Sequence, residues 1–228
     1  MKPAANESED LMSVLGHELR SPLTVIRGAA TLLLQAHEEM APEKVSELLA
    51  GIDAAAARMA DRVEDVLVAG RLHASRQPAV VEDVDLRDVV GDVLEAARSR
   101  NAGRRLSARG AARGIAVRAD QQRVTQVLRV LVENAIRFSP PGSPVEVWAA
   151  RAGRLARVEV RDRGPGIAAA DRRRILGRGV KIDPSGPGAG LGLYVAAGLL
   201  AIMEGELGLE PREGGGTTFW FTLPAVAK

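Results

Sequence analysis

His17, Glu18 and Ser21 fall close together in the stretch GHELRSPLT. An exposed neutral imidazole is a good nucleophile, and a neighbouring carboxylate can hold the proton of one ring nitrogen so that the other keeps its lone pair. His17 is offset from the apolar Leu15 by two residues, about 200° of helix, so it should face solvent, with Ser21 one turn further on the same face. The trio suits acceptance of a phosphoryl group. It equally suits a polar patch on a solvated helix. His37 and His73 lie near expected helix C-termini, where an imidazole complements the dipole, and read as structural.

Three further clusters could handle a nucleotide. In VEVRDRGPGI, strand alternation brings Asp162 to a strand end, followed by Gly164 and Gly166. A carboxylate there can accept from an exocyclic amine such as adenine's, and the glycines admit a planar ligand. The same residues also make an ordinary tight turn. In GPGAGLGL, Gly186, Gly188, Gly190 and Gly192 open a helix whose free N–H groups and positive dipole end form a phosphate cradle. The stretch lacks the Gly-Lys-Ser/Thr of a Walker loop and the preceding strand of a dinucleotide fingerprint. In LVENAIRF, Glu133, Asn134 and Arg137 interrupt an otherwise apolar helix. Asn134 offers a hard carbonyl oxygen to Mg²⁺ and Arg137, one turn on, can reach a phosphate. Asn134 alone reads equally as a satisfied buried amide.

These clusters need elements to position them. The 228 residues, 46% of them apolar, suffice for two compact domains or one large one. A net charge of +2 supplies no excess that demands nucleic acid or an anionic membrane, and no nucleic-acid signature is present. The absence of cysteine excludes disulfides, thiolate zinc sites and a cysteine nucleophile, and fits a reducing compartment. No apolar run approaches the roughly 20 residues of a membrane span, and MKPAANESED has no signal-peptide core, so a cytoplasmic chain is expected.

Asn6 and Glu9 form a capping-box pattern, after which Leu11, Leu15, Pro22, Ile26, Ala29 and Leu33 lie on one helical stripe. EEMAPEK ends that helix, and Pro42 suits the first turn of the next. There Val45, Leu49, Ile52, Ala56, Met59, Val63 and Val66 follow a heptad rhythm. Two helices cannot cover such seams, so the antiparallel hairpin should dimerise into a four-helix bundle. The rhythm stops near HASRQPAVVEDVD, which divides the chain into 1–76 and 77–228. Beyond it, 85–100 and 121–138 read as amphipathic helices, and PVEVWAA, LARVEVRD and TTFWFTLP as strands. An α/β sandwich with an antiparallel or mixed sheet follows. Residues 168–190, rich in Gly, Pro and Arg, suit a mobile loop over a site.

In this order the clusters resemble the transmitter core of bacterial sensor histidine kinases, a dimerisation and phosphotransfer hairpin followed by a Bergerat-type ATP-binding domain. GHELRSPLT looks like the H box, QVLRVLVENAIRFSPPG like the N box, DRGPGI like the G1 box, GAGLGL like the G2 box and GGGTTFWFTLP like the closing glycine motif. The resemblance covers about residues 8–224. It implies that His17 is the phosphoacceptor and Glu18 its activating carboxylate. It implies that Asp162 binds the adenine amine beside Gly164 and Gly166, and that Asn134 holds Mg²⁺ with Glu133 assisting. Arg137 would stand where a phosphate-binding lysine is usual, and Gly188, Gly190 and Gly192 would receive the phosphates of ATP. Pro22 would mark a bend in the first helix, and Ser21 the position that orients water for dephosphorylating a partner. The implied partners are a second copy of the chain and the aspartate of a response regulator receiver domain. The chain would be cytoplasmic by itself or as the cytoplasmic part of a longer membrane sensor. Two departures stand out. Val130 replaces a second asparagine of the N box, and ILGRGVK carries Leu176, Gly179 and Val180 where an aromatic F box is usual. They keep two rivals open, a nucleotide-gated scaffold of weak activity and a phosphatase-dominant regulator.

Overall fold

The computed structural model describes residues 4–36, 39–74, 79–110, 114–182 and 190–226, without the side chains of 4–18, 61–62 and 64–74. Two long helices come first, α1 (Ala4–Ala36) and α2 (Pro42–Ala74). Pro42 begins α2, as its fixed φ and missing N–H favour. The capping box is not where the sequence pattern put it. α1 is already helical at Ala4, so Asn6 and Glu9 lie inside the helix. Pro22 also sits within α1, and next to it the Thr24 hydroxyl donates to Arg20 O at 2.8 Å. The covered seam of α1 includes Pro22, Ile26, Ala29 and Leu33 of the expected stripe and also Leu19, while the side chains of Leu11 and Leu15 lie outside the described residues. On α2 the heptad stripe splits. Val45, Ile52 and Met59 are partly covered and Ala55 is fully buried, whereas Leu49, Ala56 and Val63 face outward.

The second half contains β1 (Glu82–Asp85), α3 (Leu86–Arg100), β2 (Arg105–Gly110), β3 (Ala116–Ala119), α4 (Gln121–Phe138), β4 (Pro144–Ala152), β5 (Leu155–Arg161), α5 (Gly192–Ile202), β6 (Glu206–Pro211) and β7 (Thr217–Pro224). The five-stranded sheet has the order β2-β4-β5-β7-β6, parallel only between β2 and β4, and β1 pairs with β3 separately. The sheet is therefore mixed. Asp85 caps α3 by accepting from Arg87 N, and Asp120 caps α4 by accepting from Arg123 N, each satisfying an orphan donor of the first turn.

Strand alternation gives the sheet two faces. Val145, Val147, Val158, Val160, Phe219 and Phe221 point inward and share one core with α3, α4 and α5. The outer face carries Trp148, Glu159 and Trp220 in register across β4, β5 and β7. A Cβ at Gly110 or Gly208 would come within 2.2 Å of Trp148 or Trp220, so each indole lies over a neighbouring strand's glycine. Arg161 and Arg157 stack on the two rings at 5.3 and 4.5 Å and grip the buried Glu159 between them.

Candidate nucleotide site

The site is built where α4 ends, β5 ends and α5 begins. Asp162 follows the last residue of β5, and its N–H donates to Thr217 O at 2.9 Å, which continues the ladder with β7. The side chain is buried, and Oδ1 accepts from Gly164 N at 2.7 Å and Thr217 N at 3.0 Å. No described residue takes Oδ2. Burial pushes the Asp162 carboxyl above its ordinary range, against the opposing pull of those two N–H groups and the charge of Arg212.

The glycines around it are set by close approach. A Cβ on Gly164 would stand 2.9 Å from Phe138 O, so the turn after β5 lies against the C-terminal end of α4. A Cβ on Gly216 would come within 2.2 Å of Asp162 O. Gly166 has a φ of 78°, a region L side chains rarely adopt. Ser139, buried at the end of α4, accepts from Arg163 N through its hydroxyl at 3.1 Å and ties the two elements together. Arg104 reaches the same helix end, donating to Ile136 O, Ser139 O and Pro140 O. It covers orphan carbonyls at a helix C-terminus, where a cation is also favoured by the dipole.

On α4, Asn134 is half-buried and its Oδ1 accepts from Arg137 Nη2 at 2.6 Å, while the Arg137 guanidinium also lies 4.6 Å from the Phe138 ring. The arginine expected to meet a phosphate is thus held on the oxygen expected to meet the metal. Glu133 has Arg100 and Arg129 at 3.8 and 3.9 Å. Val130, one turn before Asn134, is buried, and a Cβ on Gly192 would meet its Cγ1 at 3.1 Å. The first residue of α5 therefore packs one turn from Asn134. Leu191, the residue before it, provides no side-chain cap, so the first N–H groups of α5 have no side-chain acceptor there. Gly190, with a φ of 67°, accepts from Gly179 N at 3.2 Å.

Of the loop expected over 168–190, residues 168–182 and 190 are described. Residues 174–176 form a 3-10 turn, Ile175 and Leu176 pack on the core, and Arg172 donates to Ile167 O. Leu176, one of the residues noted in place of F-box aromatics, thus packs on the core. Ser21 is exposed on α1. His17 and Glu18 lie on α1 with side chains outside the described residues, as does the His73 side chain on α2, and Gly186, Gly188 and His37 are outside the description altogether. The sequence reading missed Thr217, Ser139, Arg104 and Arg212. The first works through its backbone N–H and the others through contacts far along the chain, which no local pattern encodes.

A family model described as His Kinase A (phospho-acceptor) domain matches residues 7–75, and one described as Histidine kinase-, DNA gyrase B-, and HSP90-like ATPase matches 119–227. The chain belongs to the histidine kinases. It has the helical hairpin followed by the α/β ATPase domain that make up the transmitter core of a sensor histidine kinase. The chain is 34% identical to sensor protein DivL of Caulobacter vibrioides over 217 residues, 94% of this chain and 28% of that protein. It is 31% identical to the signal transduction histidine-protein kinase AfsQ2 of Streptomyces coelicolor over 95% of this chain and 42% of the relative. It therefore spans less than half the length of either. Among solved structures, full-length ShkA in complex with AMPPNP is 30% identical, covering 96% of this chain and 46% of that one, with a TM-score of 0.67. Mycobacterial sensor histidine kinase MprB covers 65% of this chain and all of its own, with 26% identity and a TM-score of 0.59. Among the described residues, no helix is long and apolar enough to cross a membrane.

Proposed function

We propose that the chain transfers the γ-phosphoryl group of ATP to His17 and then to an aspartate of a response regulator receiver domain, with 1–76 as the phosphotransfer unit and 77–228 as the ATP-binding unit. The observation that carries this reading is Asp162. It is a buried carboxylate with one oxygen fixed by two backbone donors and the other taken by no described residue, at the end of a sheet beside a helix start whose N-cap residue, Leu191, makes no side-chain cap. An adenine amine is a donor of the right kind for that second oxygen. The start of α5 favours phosphate. The similarity to ShkA, solved with AMPPNP, supports the same ligand class.

Asn134 would hold Mg²⁺ through its carbonyl oxygen, with Glu133 nearby, since Mg²⁺ prefers hard oxygen donors and shares them with phosphates and water. Bound there, the ion would neutralise charge on the phosphates. Arg137 would then leave Asn134 and turn to a phosphate, and Gly188, Gly190 and Gly192 would offer N–H groups to the same oxygens. The lone pair of a His17 ring nitrogen forms the N–P bond as the β,γ-bridging oxygen departs with ADP, and Glu18 takes the proton from the other ring nitrogen. The exposed Ser21 would orient water for hydrolysis of the regulator's acyl phosphate. Exposed Leu23, Val25, Leu32 and Leu49 favour a homodimer of hairpins.

Labelling with γ-³²P-ATP, with and without Mg²⁺, tests the nucleotide half of the reading. Asn134→Ala is expected to lose Mg²⁺-dependent label at least a hundredfold while remaining folded. Undiminished labelling would remove Asn134 from the mechanism. The phosphatase step is tested by the lifetime of acyl phosphate on a receiver domain, which should lengthen with Ser21→Ala.

A further inference from the structure

Arg212 is the first residue after β6, and its side chain reaches the end of β5 and Glu146 on β4. It is only 13% exposed although it carries a charge. Nη1 donates to the backbone oxygen of Asp162 at 3.1 Å, and Nη2 pairs with Glu146 Oε2 on β4. The other oxygen of Glu146 is held by Arg109 Nε at 2.9 Å from β2. The loop from Arg212 to β7 is closed by Arg212 N on Gly216 O and Gly215 N on Arg212 O, and Gly216 is the residue with no room for a Cβ above Asp162 O. One guanidinium thus joins β4, the end of β5 and the loop whose next residue, Thr217, donates to Asp162 Oδ1.

We infer that Arg212, anchored by Glu146, is a positioning residue that holds Asp162 in place and in its acceptor form for recognition of the base. The inference rests on the reading of Asp162 as the acceptor of the adenine amine. Two physical effects support it. The bond to Asp162 O fixes the main chain from which the carboxylate projects, and the charge of a largely covered cation near the buried carboxylate opposes its protonation. Among the described residues, the other charged groups near this end of the sheet have partners elsewhere. Arg163, next in sequence, spends its guanidinium on Glu213 O and Gly215 O. Arg161 is turned to Glu159 on the outer face, Glu146 lies beyond Arg212, and Arg104 covers the end of α4. Arg212 is the cation that joins the Asp162 main chain to a carboxylate partner.

The test is calorimetric titration of the whole chain with ADP and with inosine diphosphate, from pH 5 to pH 8, for wild type, Asp162→Asn, Arg212→Met, Arg212→Lys and Glu146→Gln. Asp162→Asn keeps the acceptor for the two backbone N–H groups but places a donor against the adenine amine, so ADP binding should fall at least tenfold. Arg212→Met should weaken ADP about tenfold, narrow the preference for ADP over inosine diphosphate, and move the acid limb of binding to higher pH. Arg212→Lys should restore the acid limb but only part of the affinity, and Glu146→Gln should fall between wild type and Arg212→Met. A uniform loss for both nucleotides, with pH profile and base preference unchanged, would make Arg212 merely structural and overturn the inference, as would wild-type binding by Arg212→Met. Wild-type ADP binding by Asp162→Asn would instead overturn the reading of Asp162 and the inference with it. Cooperative thermal unfolding of each variant separates these outcomes from failure to fold.

Discussion

On α1, Leu34 is 83% exposed and Leu23 and Leu32 are about half exposed, and on α2 Leu49 is 53% exposed. In the α/β unit Phe221 and Leu131 are fully buried among side chains of the sheet and of α3, α4 and α5. Both units expose apolar side chains, Val80, Val81, Phe138, Leu155 and Ile182 among them in the α/β unit, but the α/β unit also encloses a large apolar core, whereas the described side chains of the hairpin bury only Ala29 and Ala55. Apolar surface left in water costs about 25 cal/mol per Å², so the exposed leucines of a hairpin with almost no core of its own favour association. On the proposed reading, the hairpin that would present the nucleophile would gain stability from a second copy, whereas the α/β unit has a core of its own.

The largest way to break this contrast is Leu49→Lys. Burying a leucine is worth roughly 1.5–3 kcal/mol, and a two-fold interface counts it twice, so the dimer dissociation constant should rise at least a hundredfold. Sedimentation equilibrium would measure it, and an unchanged association would place the contact elsewhere. The second is Phe221→Ala, expected to destabilise the α/β unit by about 3–5 kcal/mol. Trp148 and Trp220, the only tryptophans, both lie on its sheet, so the fluorescence midpoint in urea should fall while the dimer persists.

Glu159→Gln sharpens the view of the outer face. Burial raises the Glu159 carboxyl, but hydrogen bonds and charge from Arg161 and Arg157 outweigh it and hold the group below its ordinary range. Removing the carboxylate leaves two arginines facing each other, at a cost of about 2 kcal/mol near neutral pH, less than a fully buried pair because both arginines reach solvent. Since the folded value is lowered, this contribution is present above about pH 4.3 and is lost as pH falls through the folded value. Urea midpoints of variant and wild type should therefore converge in acid. The smallest effect is expected at Glu204, which holds a φ of 57° just past α5. Glu204→Gly should raise stability by about 0.5–1 kcal/mol, read as a small rise in Tm.

The long helices and inner strands were legible because period directly records burial. The α4 span read from QQRVTQVLRVLVENAIRF and the strand read from TTFWFTLP match the structure residue for residue. β1, β2, β3 and β6 were not read. β2 contributes one buried side chain, Leu106, and β6 is interrupted by the Gly208 that Trp220 covers, so neither carries a full alternating signal. The residues proposed to touch nucleotide were visible because their chemistry is unusual for their positions. Their supports were not, since Arg212 and Glu146 are 66 residues apart and meet only in the fold.

The central claim is that the phosphoryl group of ATP ends on His17. Incubation of wild type and His17→Ala with γ-³²P-ATP and Mg²⁺, followed by acid and base treatment of the labelled chain, tests it directly. The account predicts label on wild type that is labile to acid and stable to base, as a phosphoramidate is, and none on His17→Ala. Equal label on both, or label that survives acid, would contradict it.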